Sequence, residues 1–160
     1  MATLKELDIK LRAFMRFYRY KRYDWTPNAP LKKPLNECRF GLVTTAGLHL
    51  PDQPPFDDEL KVGDCSYREI HNDIDVQTLQ ISHQSTAFDQ RGAHEDRNLV
   101  FPLDRFRELE TEKTIGELNH QHFSFMGSIT APRRLIENTA PEIAQAFKAD
   151  DVDVVFLVPV

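Results

Sequence analysis

The sequence predicts an α/β fold: a mostly parallel sheet with flanking helices, a Rossmann-like sandwich, preceded by an amino-terminal amphipathic helix. Three observations predict it. Short runs rich in β-formers, FGLVTT at 40–45 and VVFLV at 154–158, alternate with segments of helical period around 102–109 and 139–147. The run VVFLV lacks alternation, as expected of a strand covered on both faces in a mostly parallel sheet. Apolar residues also recur at helical spacing between Leu4 and Tyr18.

In that first segment Thr3 and Glu6 have capping-box spacing. Leu4, Leu7, Leu11, Phe14, Met15 and Tyr18 make one apolar face. The other face and the exit carry Lys10, Arg12, Arg16, Arg19, Lys21 and Arg22, interleaved with Phe17, Tyr20, Tyr23 and Trp25. Three readings fit this mix: a helix lying on an anionic membrane, a surface for an acidic partner or for stacked nucleic acid, or a packed helix with long basic side chains along its flank. Glu6, Asp8 and Asp24 dilute the positive charge and weaken the membrane reading. The organisation predicted is a basic, aromatic helix over 1–25, a Pro-rich connector over 26–37 (TPNAPLKKPLNE), and an α/β domain over 38–160.

Within the domain, Phe40–Thr45 reads as a strand leading into Ala46, Gly47 and LHLPDQPP, whose prolines exclude a helix. Ser66–Ile70 and Leu79–Ser82 read as further strands. Residues 83–98, HQSTAFDQRGAHEDRN, form a polar loop of a length that is usually functional or disordered. Pro102 opens a helix with Leu103, Phe106 and Leu109 on one side. Phe123–Met126 reads as a strand ending at Gly127. Thr139 and Glu142 again have capping-box spacing, before a helix expected to bury Ile143, Ala144 and Phe147. Val152–Val158 is the last strand. Ligands of such folds sit at the carboxyl ends of the strands. Three features fall there: Thr44–Gly47, Phe125–Gly127, and Pro159–Val160.

The bulk properties bound the function. A chain of 160 residues fits one core. A net charge of −5 argues against general nucleic-acid binding. No apolar run approaches the ~18 residues that span a bilayer, and MATLKELDIK lacks the apolar stretch of a signal peptide. A cytoplasmic location without membrane contact is expected. Cys38 and Cys65 are expected to be free, buried thiols. His120 and His122 would share one side of a strand, but no acidic or sulfur ligand lies at a recognisable spacing, so no metal site is expected. His83, Asp89, His94, Glu95, Asp96 and Arg97 form the densest polar cluster. Such a cluster supplies acid/base groups or an Arg for a substrate carboxylate, or is simply a solvated loop. The motifs G-x-G-x-x-G, G-x-x-x-x-G-K-[ST] and G-x-S-x-G are all absent.

Longer stretches are more specific. CRFGLVTTAGLHL, QPPFD, GDCSYREI, NLVFPLDRFREL, the segment from IGEL through HFSFMG, and TAPEIAQAFKADDVDVVFLVPV resemble, in order and spacing, the selenoprotein B family of glycine/sarcosine/betaine and proline reductases. The match runs over roughly residues 38–160, and the pairing of VFPLDR with HFSFMG carries it. The resemblance implies a subunit of a reductase that cleaves a carbon–nitrogen bond of an amino acid or derivative, of the glycine, sarcosine, betaine or D-proline type. It implies three partners: a subunit carrying a pyruvoyl group that forms an imine with the substrate amine, a thiol or dithiol reductant protein, and a small amino-acid substrate. A selenolate then attacks the activated α-carbon; a soft nucleophile ionised at neutral pH suits that step.

In short family members, a strand like VDVVFLVPV is followed at once by selenocysteine or cysteine. Here that position falls just after Val160, so the nucleophile is expected there, the chain is expected to be cut at a UGA codon, and no residue present is the nucleophile. No cofactor is expected within the chain. The candidate wall residues, chosen by position, are Thr44, Thr45, Gly47, His49, His83, Asp96, Phe125 and Gly127. Thr44, Thr45 and amides near Gly47 would hold the substrate carboxylate, and His83 would donate a proton to the leaving amine. The alternative is a non-catalytic binding module that docks an acidic partner through the helix of residues 4–23.

Overall fold

The structure, a computed structural model, describes residues 9–17, 24 and 29–160. The chain divides into two compact units, Met1–Pro30 and Leu31–Val160. In the first, Ile9–Phe17 is helical (α1). The expected capping box at Thr3 and Glu6, the exit aromatics Tyr18, Tyr20, Tyr23 and Trp25, and the side chains of Leu11, Phe14 and Met15 lie outside the described residues. No helix among the described residues is long and apolar enough to cross a membrane.

The second unit is α/β, built on a curled, mixed sheet. Its centre is β1 (Arg39–Thr44). Along one edge runs β7 (Val154–Val158), parallel, in register from Phe40↔Val154 to Thr44↔Val158. Along the other run, in succession, β5 (Glu117–Leu118) and β6 (Gln121–Phe125), both parallel to β1. β3 (Tyr67–His71) closes that side, antiparallel to β6. A separate antiparallel pair joins β2 (Leu48–His49) to β4 (Gln80–Ile81). The parallel expectation holds for β1, β5, β6 and β7, while β3 runs the other way.

Side chains of β1 alternate between two apolar clusters, as a pleated strand requires. Phe40 and Leu42 join Ile70, Phe101, Leu103 and Phe106, the last two from helix α3 (Leu103–Thr111). Val43 points the other way, to Phe123 and to Ile143 and Phe147 of helix α4 (Ala140–Ala149). Burying each such side chain stabilises the fold by about 1.5–3 kcal/mol. Gly41 lets α4 lie close, since a Cβ there would sit 2.3 Å from the Phe147 ring.

The step from β5 to β6 leaves the Leu42 amide without a strand partner. His122 supplies one: its Nδ1 accepts the Leu42 N–H at 3.2 Å. The ring proton is therefore on Nε2, which is buried without a hydrogen-bond partner among the described residues. Burial, reinforced by Arg107 and His120, pushes the His122 pKa down to about 3.

Four expectations are corrected. Thr139 does not cap α4. A π-helical turn, Leu135–Thr139, runs directly into the helix, and the Thr139 hydroxyl instead donates to the Cys65 carbonyl at 2.5 Å. Ala144 is exposed rather than buried. The stretch 83–98 is not one irregular loop: it holds helix α2 (Arg91–Glu95) and a 3₁₀ turn at Arg97–Leu99. The Arg97 guanidinium ties that stretch down by donating to the carbonyls of Leu79 and Ala93. Finally, β7 is not covered on both faces. Val155, Phe156 and Leu157 are 40%, 44% and 66% exposed. Among the described residues β7 pairs with β1 alone, so its outer edge is open whatever its composition. The two cysteines are free and buried, as expected.

Candidate active site at the carboxyl ends of the strands

The three features predicted to fall at the strand ends meet at one residue. Thr45 N donates to the Val158 carbonyl at 3.1 Å, and its own carbonyl accepts the Gly127 amide at 2.8 Å. Its Oγ1 accepts the Val160 amide at 2.9 Å. The hydroxyl hydrogen of Thr45 has no acceptor among the described residues, so one donor remains at the junction of β1, β6 and β7.

His83 is brought to the same junction by two glycines. Gly47 adopts φ +67, and a Cβ there would lie 2.1 Å from the Ser82 carbonyl oxygen. Only a residue without a side chain lets that turn close, and it closes with the Ser82 amide on the Gly47 carbonyl at 2.9 Å. At Gly127 a Cβ would stand 3.1 Å from His83 Nε2, so its absence lets the imidazole reach over the strand ends.

The His83 ring is oriented. Its Nδ1 accepts the Ser85 amide at 3.1 Å, which puts the proton of the neutral ring on Nε2. Phe88 meets it edge-on, with centroids 5.1 Å apart. Burial lowers the His83 pKa from its ordinary value, and the nearby Thr45 backbone offsets this only in part. Nε2 itself is buried without a well-formed hydrogen bond among the described residues. The arrangement is a neutral ring whose buried Nε2–H lies against the Thr45 backbone, while the rest of the imidazole borders an open cleft of about 530 Å³. Ser85, Phe88, Asp89, Arg91 and His94 also line it, and Arg91 is already paired with Asp89 at 2.7 Å.

Other residues singled out in the sequence are occupied elsewhere. Thr44 is fully buried; its hydroxyl donates to the Val100 carbonyl at 2.7 Å and accepts the Ala46 amide at 3.1 Å. His49 is 3% exposed, with Nδ1 on the Leu50 carbonyl at 2.9 Å and Nε2 on the Ser82 hydroxyl at 3.0 Å. Asp96 caps the turn that follows it, accepting the Asn98 amide at 2.9 Å and Gln77 Nε2 at 2.8 Å. Phe125 lines an apolar groove on the α4 face.

Sequence reasoning missed Ser85 and Phe88, which orient His83, and Gln84, whose Nε2 donates to the Ser128 carbonyl at 2.9 Å. The bond to His83 uses the main-chain amide of Ser85, which any residue but proline supplies, so the serine itself was no signal. Nothing in the sequence marked Phe88.

His120 and His122 do not form a pair: His122 is buried, whereas His120 is exposed with Nδ1 3.7 Å from Asp150. Among the described residues no group of three or more His, Cys, Asp or Glu is placed to hold a metal ion. Cys38 lies at the opposite end of β1. Burial raises the pKa of its thiol, which donates to the Pro34 carbonyl at 3.3 Å. A polar cleft of about 410 Å³ also opens at that end, where Arg39 pairs with Glu117 at 2.8 Å.

The sequence profile of glycine/sarcosine/betaine reductase selenoprotein B matches residues 7–160. The D-proline reductase subunit gamma of Acetoanaerobium sticklandii is 35% identical over 133 residues, covering 83% of this chain and 52% of that subunit. The glycine reductase complex component B subunit gamma of Symbiobacterium thermophilum is 30% identical over 143 residues, 88% of this chain and 32% of that one. The betaine reductase complex component B subunit beta of Peptoclostridium acidaminophilum is 27% identical over 132 residues, 81% and 29%. The chain thus spans about half the length of the D-proline relative, and less of the others. No solved structure gives a significant match. With its profile matched from residue 7 to residue 160, the chain belongs to the glycine/sarcosine/betaine reductase selenoprotein B family.

Proposed function

We propose that this chain builds one wall of the active site of a cytoplasmic reductase complex that cleaves a carbon–nitrogen bond of an amino acid or its derivative. The observation that carries the reading is the junction at Thr45, where the carboxyl end of β7 is tied beside His83 and Gly127. In this reading the reactive selenocysteine or cysteine directly follows Val160 and emerges over that junction. The Thr45 hydroxyl and amides near Gly47 bind the substrate carboxylate. Thr44 acts behind them by holding the turn. His83 presents Nε2–H to the departing amine, as a hydrogen bond at neutral pH and as a full proton only once the ring is protonated in acid.

A partner subunit contributes the pyruvoyl group, whose chemistry is to activate the substrate amine. A dithiol protein restores the reduced nucleophile. The cleft beside His83, about 530 Å³, has room for a small amino acid. Sequencing the DNA after the Val160 codon tests the reading. It predicts an open frame through UGA, or a cysteine codon, with a second cysteine close by. A UAA or UAG codon at that point removes the nucleophile and the reductase reading with it.

A further inference from the structure

Among the described residues, the outer edge of β7 is unpaired. The Val158 carbonyl and the Val160 amide face Thr45, so by alternation the amides of Val155 and Leu157 face away from β1, toward the open edge. The strand carries none of the devices that blunt an edge: Val154–Val158 contains no charge, no proline and no bulge. Both of its faces are apolar. Phe156 packs on Phe106 on one side, with centroids 5.0 Å apart. On the other side Val155 and Leu157 join Val43, Phe125, Ile143 and Phe147 around a groove of about 310 Å³ between β7 and α4. A strand apolar on both faces is the signature of an interior position in a parallel sheet.

We propose that this edge and groove receive a further βα unit, with a strand pairing parallel to β7 and a helix packing beside α4 over Val155 and Leu157. The occupant is the portion of the family fold that the D-proline reductase subunit gamma carries outside its matched 52%. Three features argue for it over a second copy of this chain. The groove lies on the same face as α4, where a crossover helix of a parallel sheet belongs. The sheet already grows in parallel from β1 to β7. Relatives in the family possess the additional length. This inference rests on the open edge and on family membership, and is independent of the reductase chemistry.

Amide hydrogen exchange tests it on two proteins: the 160-residue chain, and the same chain joined, in the relative's own order, to the portion of the D-proline reductase subunit gamma outside the matched segment. In the chain alone, the Val155 and Leu157 amides exchange at nearly unprotected rates, and light scattering gives a monomer. In the joined protein both slow by about 100-fold or more, as amides in a sheet interior do. Leu157→Lys in the joined protein returns them to the fast rate, whereas Leu99→Lys, at a position 65% exposed, does not. Unchanged exchange in the joined protein overturns the proposal. So does a dimer of the chain alone in which the same amides are protected and Leu157→Lys releases them, since a second copy is then the occupant. Neither readout uses turnover, so a failed reductase reading leaves this result interpretable.

Discussion

β1 and β7 lie side by side over five residue pairs, and they have opposite surroundings. β1, with Arg39 at its start and Gly41 at its middle, is buried from Phe40 to Thr44. β7 is apolar throughout, yet its three central residues are exposed. Composition decides that a segment becomes a strand. Burial depends on what the strand has for neighbours, and β1 has them on both edges and both faces. The unsatisfied strand is also the one whose carboxyl end reaches Thr45, so the least finished edge of the sheet adjoins the candidate site.

The largest expected contrast is in side-chain truncation. Leu42→Ala, at a fully buried position of β1, destabilises by about 2–5 kcal/mol in denaturant titration, through lost transfer energy and the cavity left behind. If Leu42→Ala costs no more than a surface substitution, β1 is not the centre of the core. Next comes acid. His122 is charged in the unfolded chain below its ordinary 6.5 but stays neutral in the fold down to about 3. The unfolded state therefore binds more protons in that window, and stability falls as pH drops through it. Between pH 6.5 and about pH 5 the loss is about 2 kcal/mol, and thermal melts of His122→Asn lose that slope. A wild-type melt that does not shift over that interval contradicts the buried neutral ring. The smallest effect is at β7: Leu157→Ser in the isolated chain changes stability by less than about 0.5 kcal/mol. A cost of several kcal/mol there shows that the edge is already covered.

What was legible in the sequence follows from the same contrast. FGLVTT and VVFLV were readable as strands because β-formers run together, Ser66–Ile70 and Phe123–Met126 were read as strands within a residue or two of β3 and β6, and the α3 start was readable from Pro102. The strand ends were also readable as the place where Thr45, Gly47, Gly127 and Val160 converge. The exposure of β7 was not, because a sequence does not say which neighbour is present. Nor was the true start of the α4 region. Thr139 and Glu142 had the spacing of a cap, but a π-helical turn had already supplied the preceding helical residues. Of the six histidines, the sequence reading put His49 and His83 at the wall. Their bonds separate them: His49 is held by Leu50 and Ser82 and His122 by Leu42, while His83 Nε2 has only the nearby Thr45 backbone.

The central claim is that the strand ends at Thr45 and His83 form the working edge of a reductase subunit. Its most direct test is turnover of the complete reductase complex containing this subunit, with its own frame read past Val160, in wild-type form and as His83→Ala. The account predicts that kcat falls by about 100-fold or more while KM stays within about threefold, as expected when a hydrogen-bond or proton donor to the leaving group is removed. Unchanged turnover in a folded His83→Ala complex contradicts it.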